Sequence, residues 1–118
     1  NAASTTKSYF IVPVLFNGSN HLSFETKDGY YNGNTLNVYY ASTANYTYGG
    51  DIKVENFTNI TANFTYSTGN TNGYAQNFVA SGTYQFPNTL TGNGFIIFEY
   101  SGSSTLTTTI QLDNISFN

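Results

Sequence analysis

The residues able to move protons or form covalent bonds are few. His21 is the sole imidazole, Cys and Arg are absent, and six carboxylates stand against three lysines. A Ser-His-Asp arrangement would have to recruit His21. That residue follows the turn Asn17-Gly-Ser-Asn20 at the head of an apolar run, a place for a structural or solvent-facing ring. Glu25 and Asp28 are the pair of carboxylates that would supply the acid and base of glycoside hydrolysis, but at a strand end such groups are more commonly solvated or metal-bound. The expectation is a domain that binds or builds and is not an enzyme.

Two other chemistries fit better. Calcium takes oxygen ligands from Asp, Glu, Asn and backbone carbonyls in loops. Asp113, beside Asn114, and Asp28, in Lys27-Asp28-Gly29, are the best donors. The alternative is that Asp113 accepts backbone N–H groups and Asp28 caps a turn. Tyrosines are the second group: Tyr30, Tyr31, Tyr39, Tyr46 and Tyr48 crowd one stretch. An aromatic face packs on the apolar face of a sugar ring while neighbouring hydroxyls and amides meet its OH groups. A polysaccharide or cell-surface glycan is therefore the expected ligand, against ordinary loop packing as the alternative. Tyr39 faces away from the core by strand parity, which predicts an exposed platform that includes it.

These residues need a scaffold, and the composition specifies its class. Tyr, Phe, Val, Ile and Thr suit a pleated, half-buried surface, whereas good helix formers are sparse. Asn-Gly and Gly-Gly pairs at Asn17-Gly18, Asn32-Gly33, Gly49-Gly50, Asn72-Gly73 and Asn93-Gly94 mark turns, since Asn and Gly tolerate positive φ. Between them short runs read as strands: Ser8–Phe16, with Pro13 predicting an edge or bulge; His21–Thr26; Thr35–Ser42; a weak Ile52–Glu55; Ile60–Tyr66; Tyr84–Phe86; Gly94–Tyr100, buried on both faces; and Thr105–Phe117. Parity predicts Ile60, Phe64, Ile96, Phe98, Ile110 and Leu112 in the core. In the last run Ile110 and Leu112 share one parity and Ile115 and Phe117 the other, so an inserted residue, a bulge, is predicted near Asp113-Asn114. Many short strands spaced by turns predict an all-β antiparallel β-sandwich, jelly-roll-like, in a single domain over residues 1–118.

Charge and composition exclude several classes. Three lysines and a net charge of −3 cannot neutralise the phosphates that nucleic-acid binding demands, nor hold an anionic membrane. No apolar run approaches the length of a spanning helix, so no membrane insertion is expected. Absent Cys and Met leave little to oxidise, which suits a secreted or cell-surface location. Six Asn-x-Ser/Thr sequons occur, at Asn17, Asn45, Asn56, Asn59, Asn63 and Asn114; a chain this rich in Asn, Ser and Thr generates roughly four by chance.

Five segments together resemble a known family. Leu22-Ser-Phe-Glu-Thr-Lys-Asp-Gly-Tyr-Tyr-Asn-Gly33, Leu36-Asn-Val-Tyr-Tyr40, Phe78-Val-Ala-Ser-Gly82, Gly94-Phe-Ile-Ile-Phe-Glu-Tyr-Ser-Gly102 and Thr107-Thr-Thr-Ile-Gln-Leu-Asp-Asn-Ile115 are similar to the choice-of-anchor J, or cleaved-adhesin-type, domains of exported Bacteroidetes proteins. The resemblance implies a jelly-roll sandwich, export by type IX secretion, and structural calcium with Asp113-Asn114 in the closing Asp-Asn position. It also implies an opening strand upstream of Tyr9–Pro13, for which Asn1–Ser8 offers no acidic counterpart. Such a strand would come from another part of a longer chain or from a neighbour.

Two functions follow. The first is a non-catalytic carbohydrate-binding or adhesion module of a larger exported protein. The second is a structural subunit of a surface layer or filament, assembled by strand-mediated self-association at a sheet edge.

Overall fold

Alternation of apolar and polar residues with period two builds the long strands. In the computed structural model, which describes residues 5–118, these are β1 (Thr6–Asn17), β2 (His21–Gly29) and β3 (Leu36–Ser42). Three two-residue strands follow, β4 (Thr58–Asn59), β5 (Val79–Ala80) and β6 (Tyr84–Gln85), and then β7 (Thr91–Gly102) and β8 (Thr109–Phe117). The only helical pieces among the described residues are 3-10 turns at Val54–Asn56 and Thr61–Asn63. None is long and apolar enough to cross a membrane.

One sheet has the order β1-β7-β3-β4; in the other, β2 pairs with β8 on one edge and with the short β5 and β6 on the opposite edge. All pairings are antiparallel. The fold is the expected two-sheet sandwich, and the chain passes from sheet to sheet at β1–β2, β2–β3, β4–β5, β6–β7 and β7–β8, as in a jelly roll. Pro13 sits in an unbroken twelve-residue ladder on edge strand β1, where its missing N–H can face away from β7.

The core lies between the sheets. Phe16, Leu22, Phe24, Leu36, Val38, Ile60, Phe64, Phe86, Ile96 and Phe98 are buried there, with Ile110, Leu112, Ile115 and Phe117 half-buried against them. Ile110, Leu112, Ile115 and Phe117 all face this core because β8 bulges. Ser23 pairs with Ser116 but Glu25 pairs with Asp113, so β8 spends one extra residue there, and Asn114 takes φ 51°. The predicted bulge at Asp113-Asn114 is present.

Three readings need correction. Asn93-Gly94 is no turn but part of β7; Gly94 is packed so closely that a Cβ would lie 2.6 Å from the Ala41 carbonyl oxygen and against the Phe16 ring. Ile52–Glu55 forms no strand and runs into a 3-10 turn. Ile60–Tyr66 is not a strand either, although Ile60 and Phe64 are buried. The Thr61 hydroxyl accepts the Val38 N–H at 2.9 Å and donates to the Val38 carbonyl at 3.3 Å. A side chain thereby replaces the next rung of the β3–β4 ladder, and the backbone turns away.

Candidate functional site

The outer face of the β1-β7-β3 sheet carries a second apolar layer. Tyr39, Ala41, Phe95 and Ile97 project outward, and the segment after β3 folds over them with Tyr46, Ile52, Val54 and Phe57. Tyr46 packs edge-on against Phe95 at 5.0 Å and against Phe57 at 5.8 Å. Tyr39 therefore points away from the main core, as parity requires, but it is only 8% exposed. The expected platform through Tyr39 is overturned, and Tyr46 is buried with it. A roof built from residues 46–57 covers the surface where a glycan would have lain.

The remaining tyrosines divide between the two ends of β3. Tyr30 is exposed at φ 49° and meets Tyr74 edge-on at 5.4 Å. Tyr31 is half-buried, its N–H given to the Asn70 carbonyl. At the other end Tyr48 is 68% exposed and lies nearly parallel to Phe95, 16° between planes and 6.4 Å between centroids. It borders a groove of about 480 Å³ shared with Tyr9, Phe10, Ile11, Gly49 and Ile52. Seven β3 residues separate the ends, about 23 Å at ~3.3 Å per residue, so Tyr30 and Tyr48 belong to different surfaces.

The two calcium candidates also part. Glu25 and Asp28 are three residues apart on β2 and so occupy opposite faces, which prevents them from acting as an acid–base pair. Asp28 is fully buried. Ser67 Oγ and Asn70 Nδ2 donate to its Oδ1, and the Asn70 N–H donates to Oδ2 at 2.9 Å. Burial opposes ionisation, but these hydrogen bonds outweigh it and hold the carboxyl below its ordinary 3.8. Asp28 thus clamps the Ser67–Asn70 loop to β2, the turn-capping alternative on a larger scale. Asp113 is exposed on the outer face opposite Glu25. Its Oδ1 accepts the Asn114 N–H at 2.8 Å, and Asn114 Nδ2 donates to Glu25 Oε1 at 2.7 Å. No group of three His, Cys, Asp or Glu side chains is placed to share a metal among the described residues. His21 opens β2 and exchanges backbone hydrogen bonds with Asn118.

Sequence reasoning missed Glu99. It sits mid-β7 on the outer face, 2% exposed, in register with Tyr9 on β1 and Asn37 on β3. Asn37 Nδ2 donates to Oε1 at 3.0 Å and the Tyr39 hydroxyl to the same atom at 3.4 Å. Oε2 has no hydrogen-bond partner but lies 3.7 Å from the Lys7 ammonium. Burial foremost, and then the neighbouring Glu99 carboxylate, push the Tyr9 phenol up to about 12. The signal was a single carboxylate inside Gly94–Tyr100, a run buried on both faces, where an ion must have partners.

The edges of the sandwich differ. On one long side, hydroxyls finish the β2 edge: between the short strands Ser81 Oγ accepts the Phe24 N–H at 2.9 Å, and beyond β5 Ser67 Oγ accepts the Asp28 N–H at 3.1 Å. On the other side, β1 lies over β8, and no described strand pairs with the outer edge of either. The layers meet at one end, where Phe16 touches Phe117 at 5.7 Å. They separate toward Phe10, which is 54% exposed. Two apolar hollows of about 300 and 420 Å³ share Phe10 and Leu112 there. No protein-family profile, curated protein or solved structure matches the chain.

Proposed function

We propose that the chain is a non-catalytic adhesion module of an exported protein that holds a sugar residue in the groove beside Tyr48. The observation that carries this reading is the Tyr48 ring, exposed yet stacked on Phe95. An immobilised aromatic face at the rim of a groove gives a pyranose a flat apolar surface without an ordering cost. The Tyr9 side chain and the Gly49-Gly50 backbone line the same groove and supply polar groups for sugar hydroxyls. The family resemblance of the sequence points the same way.

Screening the protein against a panel of polysaccharides and oligosaccharides, then titrating any ligand found, tests the proposal. Tyr48→Ala is expected to weaken binding about tenfold, the equivalent of ~1.4 kcal/mol of lost stacking, with the melting temperature nearly unchanged. A ligand bound equally well by Tyr48→Ala, or a panel with no ligand, refutes it.

A further inference from the structure

The cleft between β1 and β8 adjoins the Tyr48 groove, sharing Tyr9 and Phe10 with its rim, and identifies a partner of its own. Phe16 lies beside Phe117 and Phe10 beside Leu112, so the two edge strands run in the same direction, one in each layer. In an antiparallel ladder successive residues present their backbone groups to alternate sides. Pro13 has no N–H to give β7 and belongs to the set facing outward; Lys7, Tyr9 and Ile11 share its parity and offer free N–H and C=O groups at that edge. In β8 the regular stretch is Thr109–Leu112, before the bulge. Pro13 and the bulge both interrupt edge pairing. The uninterrupted parts of the two strands thus coincide at the open, apolar end of the sandwich.

We infer that a second copy of this chain closes the cleft, related by a twofold axis between the molecules near Tyr9. Such an axis sets β1 antiparallel to its counterpart and, in the same operation, sets β8 antiparallel to its own. Both sheets then continue across the interface, and Phe10 and Leu112 of each copy are covered. A single inserted strand does less: the layers of a sandwich lie ~10 Å apart, so it extends one sheet and leaves the other edge bare. The interface is isologous and closes on itself, while Pro13 and the bulge stop pairing from spreading along the strands.

Sedimentation equilibrium over a wide concentration range tests this, with Phe10→Lys as the variant. The wild type is expected at twice its 12.9 kDa mass, and Phe10→Lys at half the wild-type value while still unfolding cooperatively, since Phe10 supports little of the monomer core. Amide exchange on the wild type gives a second reading that needs no variant. Exchange at Tyr9, Ile11, Ile110 and Leu112 is expected to slow as concentration rises, since Thr109 and Gln111 already face Gly29 and Lys27 of β2. A monomer up to hundreds of micromolar overturns the inference. So does a dimer that Phe10→Lys leaves intact, an open-ended series of larger species, or a monomer that takes up a synthetic Thr6–Asn17 peptide in place of its own copy.

Discussion

Replacing Asp28 with Asn changes one atom and no volume, and it isolates what the buried carboxylate does. Three donors converge on it: Ser67 Oγ and Asn70 Nδ2 on Oδ1, and the Asn70 N–H on Oδ2. An amide has one acceptor oxygen. Its least costly orientation keeps that oxygen at the Oδ1 position and turns its NH2 against the Asn70 N–H. One hydrogen bond to a charged group is lost and a buried donor is left unsatisfied, about 2–3 kcal/mol at neutral pH. A domain of this size has on the order of 6–18 kcal/mol in total, so urea denaturation followed by circular dichroism resolves the change. The pH dependence adds a sign. Because the folded-state carboxyl lies below its ordinary 3.8, its stabilisation is fully present above the unfolded value of ~3.9 and is lost as pH falls through the folded one. The difference between wild type and Asp28→Asn should therefore narrow in acid. A difference below ~0.5 kcal/mol at neutral pH, or one that stays constant into strong acid, would refute the clamp. A chelator should leave the wild-type melting temperature unchanged, since the Asp28 oxygens are already engaged; a fall would assign them to calcium.

Phe24→Ala should cost ~3–5 kcal/mol, because Phe24 packs on Phe64 at 4.8 Å and Phe98 at 5.3 Å. Phe10→Ala, at concentrations that keep the protein monomeric, should cost only ~1 kcal/mol, and equal costs would show that the core is misplaced. Gly94→Ala should destabilise by ~1–3 kcal/mol, since its new methyl has only the Ala41 carbonyl and the Phe16 ring to displace; a neutral substitution would mean that β7 sits farther from β1 and β3. Alkaline titration should unfold the protein progressively. Burial foremost raises the phenols of Tyr9, Tyr39, Tyr66 and Tyr84 above 10.0, so their contribution is complete below ~10 and declines as pH rises through the folded values. Stability that stays flat through that window by circular dichroism would contradict their burial.

The long strands were legible because each has one face on the core, and a period of two exposes that in the residues themselves. The shift of phase between Leu112 and Ile115 revealed the β8 bulge for the same reason. Parity has no knowledge of what lies above a sheet, however. It put Tyr39 correctly on the outer face, but not under the Tyr46 and Phe57 rings that long-range folding brings there. In Ile60–Tyr66 the alternation is as clean as in β3, yet one hydroxyl, on Thr61, ends the ladder. Such a competition depends on where Val38 lies and is not visible locally. Asp28 was singled out as a calcium donor or a turn cap, but neither its burial nor its donors, 39 and 42 residues away, could be named in advance.

The shared direction of β1 and β8 has a mechanical consequence. Thr6 begins β1 at the open end of the sandwich and Phe117 finishes β8 at the closed end. Tension applied through those two points pulls along the strands, in opposite senses. The β1–β7 ladder, in register from Thr6–Gly102 to Asn17–Thr91, is then loaded in shear, all rungs at once. Unzipping would break them singly. Forced unfolding is governed by the barrier to the first rupture, and shear raises that barrier. A module stretched between a cell and its anchorage would hold longest in this orientation.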